Sequence, residues 1–106
     1  MKTISVQDLH NNLADEEHMK SAIIIDVRTP EEHAEGHIPG AQNRPIDKLD
    51  LYMEALKSYE TVYVHCLTGG RSGKACEAFD AAGSINAYNI EGGVTAWKEA
   101  GYPVEM

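Results

Sequence analysis

Long apolar runs are missing from this 106-residue sequence, and nothing in it approaches the ~20 consecutive apolar residues of a membrane-spanning helix. A transmembrane helix is excluded on that ground. Basic residues are scarce too: nine Lys and Arg stand against seventeen Asp and Glu, a formal net charge of −8. Neither counterion release on nucleic acid nor attraction to anionic lipid is expected to drive its function, so no nucleic-acid and no membrane partner is expected. Any anion site in so acidic a body must be local. Two cysteines are too few for a disulfide framework, and the chain opens Met1-Lys2-Thr3 without an apolar leader. The expectation is a reduced, cytoplasmic protein. No linker or repeat divides residues 1–106, so one domain is expected, burying roughly two-thirds of the unfolded chain's surface.

What is present concentrates in Tyr63-Val64-His65-Cys66-Leu67-Thr68-Gly69-Gly70-Arg71-Ser72. A β-rich run, Thr61 to His65, delivers one cysteine to a turn, two glycines let the backbone fold back, and Arg71-Ser72 open a helix. Amides of a tight Gly-containing loop converge on one point, and the first turn of the helix adds positive potential there. A thiol at a helix N-terminus beside an arginine has its pKa drawn down from about 8.5 toward neutrality or below. Only the thiolate is a good nucleophile.

The rest of the chain reads as alternating strands and helices. Ser5 with Asp8 forms a capping signal for a helix to about Ala14, with Val6, Leu9 and Leu13 as its apolar stripe. Ala22 to Val27 is a β-branched run of the kind buried on both faces of a parallel sheet. Thr29-Pro30-Glu31-Glu32 is a second capping signal, for a short helix that Gly36 ends. Gln42 to Ile46 reads as a peripheral strand, because Pro45 cannot donate to a ladder. Asp47 to about Tyr59 reads as a helix, with Leu49, Met53 and Leu56 at near-helical spacing. A helix from Arg71 or Ser72 to Ala82, closed by Gly83, has Ala75, Cys76, Phe79 and Ala82 as its apolar face. Ile85 to Ile90 is a strand and Val94 to Ala100 the last helix, with Trp97 in the core. The pattern is α/β: a central, mostly parallel sheet flanked by helices on both faces. Ligands bind such sheets beyond the carboxyl ends of the strands, where Asp26-Val27-Arg28 and Cys66 both lie.

Four motifs, in order, then carry a resemblance: Asp26-Val27-Arg28 with Glu32; Gly36-His37-Ile38-Pro39-Gly40-Ala41; Cys66 to Ser72; and Glu91-Gly92-Gly93 with Trp97 and Gly101-Tyr102-Pro103-Val104. Together they span almost the whole chain, which is similar to the single-domain rhodaneses, a family of sulfurtransferases. His33 departs from the pattern, where the family usually has an aromatic residue. The resemblance implies a rhodanese-like fold with Cys66 as the catalytic residue. Its substrate-binding loop would be Leu67, Thr68, Gly69, Gly70, Arg71 and Ser72, supported by Asp26 and Arg28. It implies a small sulfur donor, thiosulfate or a persulfide, a thiol or cyanide acceptor, and no metal or organic cofactor.

Several residues carry more than one reading. Arg28 and Glu32 pair across the short helix in one reading, and Arg28 with Asp26 touches substrate in the other. Arg71 opposes the helix dipole, which calls for a compensating anion or carboxylate. His33 and His37 are four apart, but Gly36 interrupts the helix and no third ligand is evident, so no metal site is expected. His65, a strand residue, should point away from Cys66 and make an orienting hydrogen bond. Cys76 reads as a core residue, and Gly92-Gly93 as a strand-to-helix turn. Two further functions stand beside the sulfurtransferase: a carrier loaded or unloaded by a partner protein, and a cysteine phosphatase or arsenate reductase. Those last families place one more residue between cysteine and arginine than the four found here.

Overall fold

A computed structural model describes all of residues 1–106. Its centre is the pair of runs most rich in β-branched residues. β2 (Ala22–Asp26) and β4 (Thr61–His65) are buried at every position. They pair in parallel register from Ala22 opposite Thr61 to Asp26 opposite His65. Such continuous burial requires cover on both faces, which only helices connecting parallel strands supply. The five-stranded sheet has the order β1-β5-β4-β2-β3, every pair parallel.

Alternation along the strands sends side chains into two separate cores. Ile23, Ile25, Val62, Val64 and Cys66 face one layer with Phe79 and Cys76 of α5 (Gly70–Ala82) and Leu56 and Tyr52 of α4 (Leu49–Leu56). Ile24, Tyr63 and Ile90 face the other, with Leu9 of α1 (Val6–Leu13) and Trp97 of α6 (Gly93–Glu99). Each fully buried Leu, Ile or Phe stabilises the fold by roughly 1.5–3 kcal/mol relative to exposure.

The capping signals form as expected. Ser5 Oγ accepts from the Asp8 amide at 3.1 Å, starting α1. Thr29 and Glu32 exchange side-chain and backbone hydrogen bonds at the start of α3 (Pro30–Ala34). Several boundaries differ from expectation. Two elements were not foreseen: the edge strand β1 (Lys2–Ile4) and the one-turn α2 (Glu16–Met19). β1 has no apolar run of its own and exists because Lys2, Thr3 and Ile4 pair with Tyr88, Asn89 and Ile90 of β5 (Ala87–Ile90). β3 is only Gln42–Asn43, since the chain then turns to donate Arg44 N to Asp26 O and Ile46 N to Val27 O. A 3-10 turn at Ile46–Lys48 precedes α4, which ends at Leu56, short of the expected Tyr59. Ala82, the last residue of α5, faces solvent instead of the core, and Phe79 is the last buried residue of the helix.

Candidate active site

Cys66 directly follows β4, on the α5 side of the sheet, and the residue is 1% exposed. Such burial raises a thiol's pKa, yet the balance here is reversed. The Ser72 hydroxyl and the amides of Ser72, Gly69 and Thr68 together hold the Cys66 pKa below its ordinary value. Gly69 N donates to Sγ at 3.0 Å, and Ser72 Oγ lies 3.1 Å from it. Gly69 makes this possible by adopting φ +109°, a backbone state that L side chains rarely enter. The loop is thus an amide cradle with the sulfur as its focus, contributed by Thr68, Gly69 and Ser72.

The cradle's carbonyls are held outward by other elements. Cys66 O accepts from Val94 N at 3.0 Å, and Leu67 O accepts from Thr95 N at 3.1 Å, both in the first turn of α6. Gly92 and Gly93 are more than a turn between strand and helix: a Cβ on Gly93 would lie 2.5 Å from both of those carbonyl oxygens. His65 adds a second donor to Cys66 O, through Nδ1 at 2.9 Å, while its Nε2 accepts from Ile38 N at 3.2 Å. That pattern fixes the Nδ1–H tautomer. Burial pushes the His65 pKa down to about 4, so the ring is neutral at pH 7. Its role is the expected orienting one, on the side of the sheet away from Sγ.

Arg71 finds the compensating carboxylate that its place in the first helical turn calls for. Its guanidinium makes a bidentate pair with Glu32 of α3, at 2.7 and 2.9 Å, and the two side chains are 39% and 30% exposed. The pair holds the Glu32 carboxyl down to about 2, through the Arg71 hydrogen bonds first, and raises the Arg71 pKa. Arg28 therefore does not pair with Glu32. It forks onto Asp26, with Nε to Oδ1 at 2.9 Å and Nη2 to Oδ2 at 2.8 Å, and Nη2 also donates to Gly36 O at 2.8 Å. Both residues are buried. Burial opposes ionisation of Asp26, but Arg28, the nearby His65 and the His33 hydrogen bond outweigh it and lower its pKa. This pair fixes the Gly36 turn and makes no hydrogen bond to Sγ.

The remaining candidates occupy the rim or the core. Leu67, 43% exposed, and Thr68 face solvent at the mouth of the loop. A cleft of about 420 Å³ that includes Arg28, Lys48 and Arg71 lies on one side, and a recess of about 270 Å³ with Glu32, Leu67 and Lys98 on the other. Cys66 lines neither of them. His33 and His37 stack at 3.6 Å between ring centroids, with His33 Nδ1 donating to Asp26 and His37 Nδ1 to a main-chain carbonyl. Cys76 is fully buried, and burial pushes its pKa up to about 12. Asn89 was missed in the sequence: Nδ2 donates to Gly69 O at 3.1 Å, and Oδ1 accepts from Ser72 Oγ at 2.5 Å. The available signal was an Asn, a poor strand former, inside the run Ala87-Tyr88-Asn89-Ile90.

The fold and the site together define a class: a parallel α/β sheet with a cysteine just past its central strand β4, met there by the Gly69 amide and the Ser72 hydroxyl. Residues 5–100 match the rhodanese-like domain family, and the chain belongs to it. A sulfurtransferase of Allochromatium vinosum is 33% identical over 101 residues, covering 95% of this chain and 92% of that one. Thiosulfate sulfurtransferase 16, chloroplastic, of Arabidopsis thaliana is 36% identical over 93 residues, 76% of this chain and 78% of its own. The crystal structure of a rhodanese-like domain protein from Staphylococcus aureus superposes with a TM-score of 0.84 at 38% identity, over 100% of this chain and 98% of the other. The chain is a sulfurtransferase-family domain.

Proposed function

We propose that the protein moves a sulfane sulfur from thiosulfate or a persulfide to a thiophilic acceptor through a persulfide on Cys66. The observation that carries this reading is the donation of Gly69 N to Sγ at 3.0 Å within a loop where the amides of Thr68, Gly69 and Ser72 favour the thiolate. The thiolate attacks the outer sulfur of the donor, a new Sγ–S bond forms, and the donor S–S bond breaks. Its electron pair leaves on sulfite or on a thiolate. The charge then sits on the terminal sulfur, inside the reach of the same amides. Cyanide or a thiolate acceptor attacks that sulfur and restores the Cys66 thiolate. Both leaving groups are stable anions, so no general acid is required. The reading needs surroundings reducing enough to keep Cys66 a free thiol, as in a cytoplasm.

The Arg71–Glu32 pair supports a second version, in which the sulfur donor or acceptor is a protein. The only cation in the loop is already neutralised by a carboxylate, on a body of net charge −8. A thiosulfate dianion finds no unpaired cation within the loop itself, and only Lys48 and Lys98 on the flanking cleft and recess, whereas a protein persulfide docks by its own surface. The same pairing weighs against phosphatase chemistry, since Arg71 is turned to Glu32 in a loop one residue shorter than those enzymes use.

The test is intact mass after incubation with thiosulfate or a protein persulfide. Thiolate chemistry predicts a gain of one sulfur, about 32 Da, removed by cyanide and absent in Cys66→Ser. No adduct from any sulfane donor, or phosphate-ester cleavage in its place, refutes the reading. Slow loading from thiosulfate beside fast loading from a protein donor selects the second version.

A further inference from the structure

Ser72 has one hydroxyl proton and two claimants on it. Sγ of Cys66 lies 3.1 Å from Oγ, and Asn89 Oδ1 lies 2.5 Å from it on the other side. The Asn89 amide is not free to flip, because Nδ2 donates to the carbonyl of Gly69, which can only accept. Oδ1 is therefore turned to Ser72, and Oδ1 carries no proton. With the hydroxyl given to Asn89, Oγ presents a lone pair to the sulfur: a good partner for a thiol S–H and a bad one for a thiolate. With the hydroxyl given to Sγ, the buried Oδ1 is left without its donor, at the cost of about one net hydrogen bond.

We infer that Asn89 is a positioning residue for Cys66, which holds the Gly69 amide on the sulfur and competes with Sγ for the Ser72 proton. Its meaning for catalysis rests on the reading of Cys66 as the sulfur-carrying nucleophile. The two halves of the side chain act on the two donors nearest the sulfur. Gly69 O accepts from both Asn89 Nδ2 and Gly73 N, at 3.1 and 3.0 Å, which pins the left-handed Gly69 with its N–H on Sγ. A Cβ at Gly73 would just touch Nδ2, at 3.4 Å, so Nδ2 packs closely over the start of α5.

The consequence is a hydroxyl that turns once in each half-reaction. In the free thiolate the Ser72 proton faces Sγ. Once Sγ carries a second sulfur it is a neutral divalent atom, the charge sits on the outer sulfur among the amides, and the proton returns to Asn89. Asn89 thus favours the loaded form over the free thiolate. It also keeps the thiolate from being over-stabilised, which matters because nucleophilicity falls as a thiol's pKa falls.

The test is a double-mutant cycle read by the ultraviolet absorbance of the Cys66 thiolate against pH. Cys76 does not ionise in the same range. The other charged and titratable groups that bear on Cys66 are Arg71 of α5, held to Glu32 of α3, and the Asp26, Arg28 and His65 group at the ends of β2 and β4. They are the same in every variant. Asn89→Leu loosens the loop in any background, but frees a proton for Sγ only where Ser72 is present. Its effect on the Cys66 pKa should therefore be lower by about 0.5 to 1 with Ser72 than with Ser72→Ala, the worth of one net hydrogen bond. Asn89→Asp, close to isosteric and a stronger acceptor, should give a difference of the opposite sign, its charge cancelling between backgrounds. Equal effects in both backgrounds, or reversed signs, overturn the inference. Thiolate absorbance needs no sulfur donor, so a native protein that never forms a persulfide sinks the transfer reading and not this one.

Discussion

Gly93→Ala is the most severe small change available near the site, and its size follows from three distances. A Cβ at residue 93 would lie 2.5 Å from Cys66 O, 2.5 Å from Leu67 O and 2.6 Å from Leu67 C, all main-chain atoms. No rotamer change relieves it. The α6 terminus must withdraw by about 0.7 Å or more to restore a normal contact, which weakens the bonds Val94 N to Cys66 O and Thr95 N to Leu67 O. Those two hydrogen bonds are together worth about 2 kcal/mol. Holding alanine at φ +58° adds about 1–2 kcal/mol. The expected loss is about 3–4 kcal/mol, out of a total of roughly 5–15 for a domain of this size. That corresponds to a fall in Tm of roughly 15 °C or more. The same movement releases the carbonyls that keep the cradle's amides pointing inward, so persulfide formation should slow as well. Calorimetry and the mass assay read the two effects. Gly70→Ala, with nothing near its Cβ and no left-handed backbone, is the control and should stay within about 1 kcal/mol of the native stability. A Gly93→Ala protein that melts within a few degrees of the native one and loads sulfur at the native rate refutes the account of α6 as the buttress of the loop.

Two further outcomes are expected. Glu32→Gln keeps the capping geometry and removes only the charge, so the KM for thiosulfate should fall about five- to tenfold as Arg71 becomes available, while stability changes by less than about 1 kcal/mol because the pair is partly exposed. An unchanged KM means that Arg71 does not meet the donor. Acid should weaken the fold through His65: its folded pKa of about 4 is below the unfolded value of 6.5, so its contribution is present above pH 6.5 and lost as pH falls toward 4. Urea unfolding should show roughly 2 kcal/mol less stability at pH 4.5 than at pH 7 from this group, and His65→Gln should flatten that interval. An equal slope in the variant assigns the acid sensitivity elsewhere.

Much of the architecture is legible in the sequence. The runs Ala22 to Val27 and Thr61 to His65 announce central strands because continuous β-branched sequence is stable only when both faces are covered. Ser5, Thr29 and Pro30 mark helix starts because a cap is satisfied within three residues of itself. The cysteine between a strand and a glycine pair is equally local, which is why the cradle could be placed by reading alone. The tertiary structure decided the rest. β1 forms only because β5 offers it an edge. Arg71 turns to Glu32, 39 positions earlier, and Ser72 shares its proton with Asn89, 17 positions later. Gly93 must be glycine because the carbonyls of Cys66 and Leu67 arrive beside it. Sequence patterns record what a residue does with its chain neighbours. Which donor a buried acceptor finds across the sheet depends on where folding sets the two elements, and that is settled only when the cores on both faces have packed.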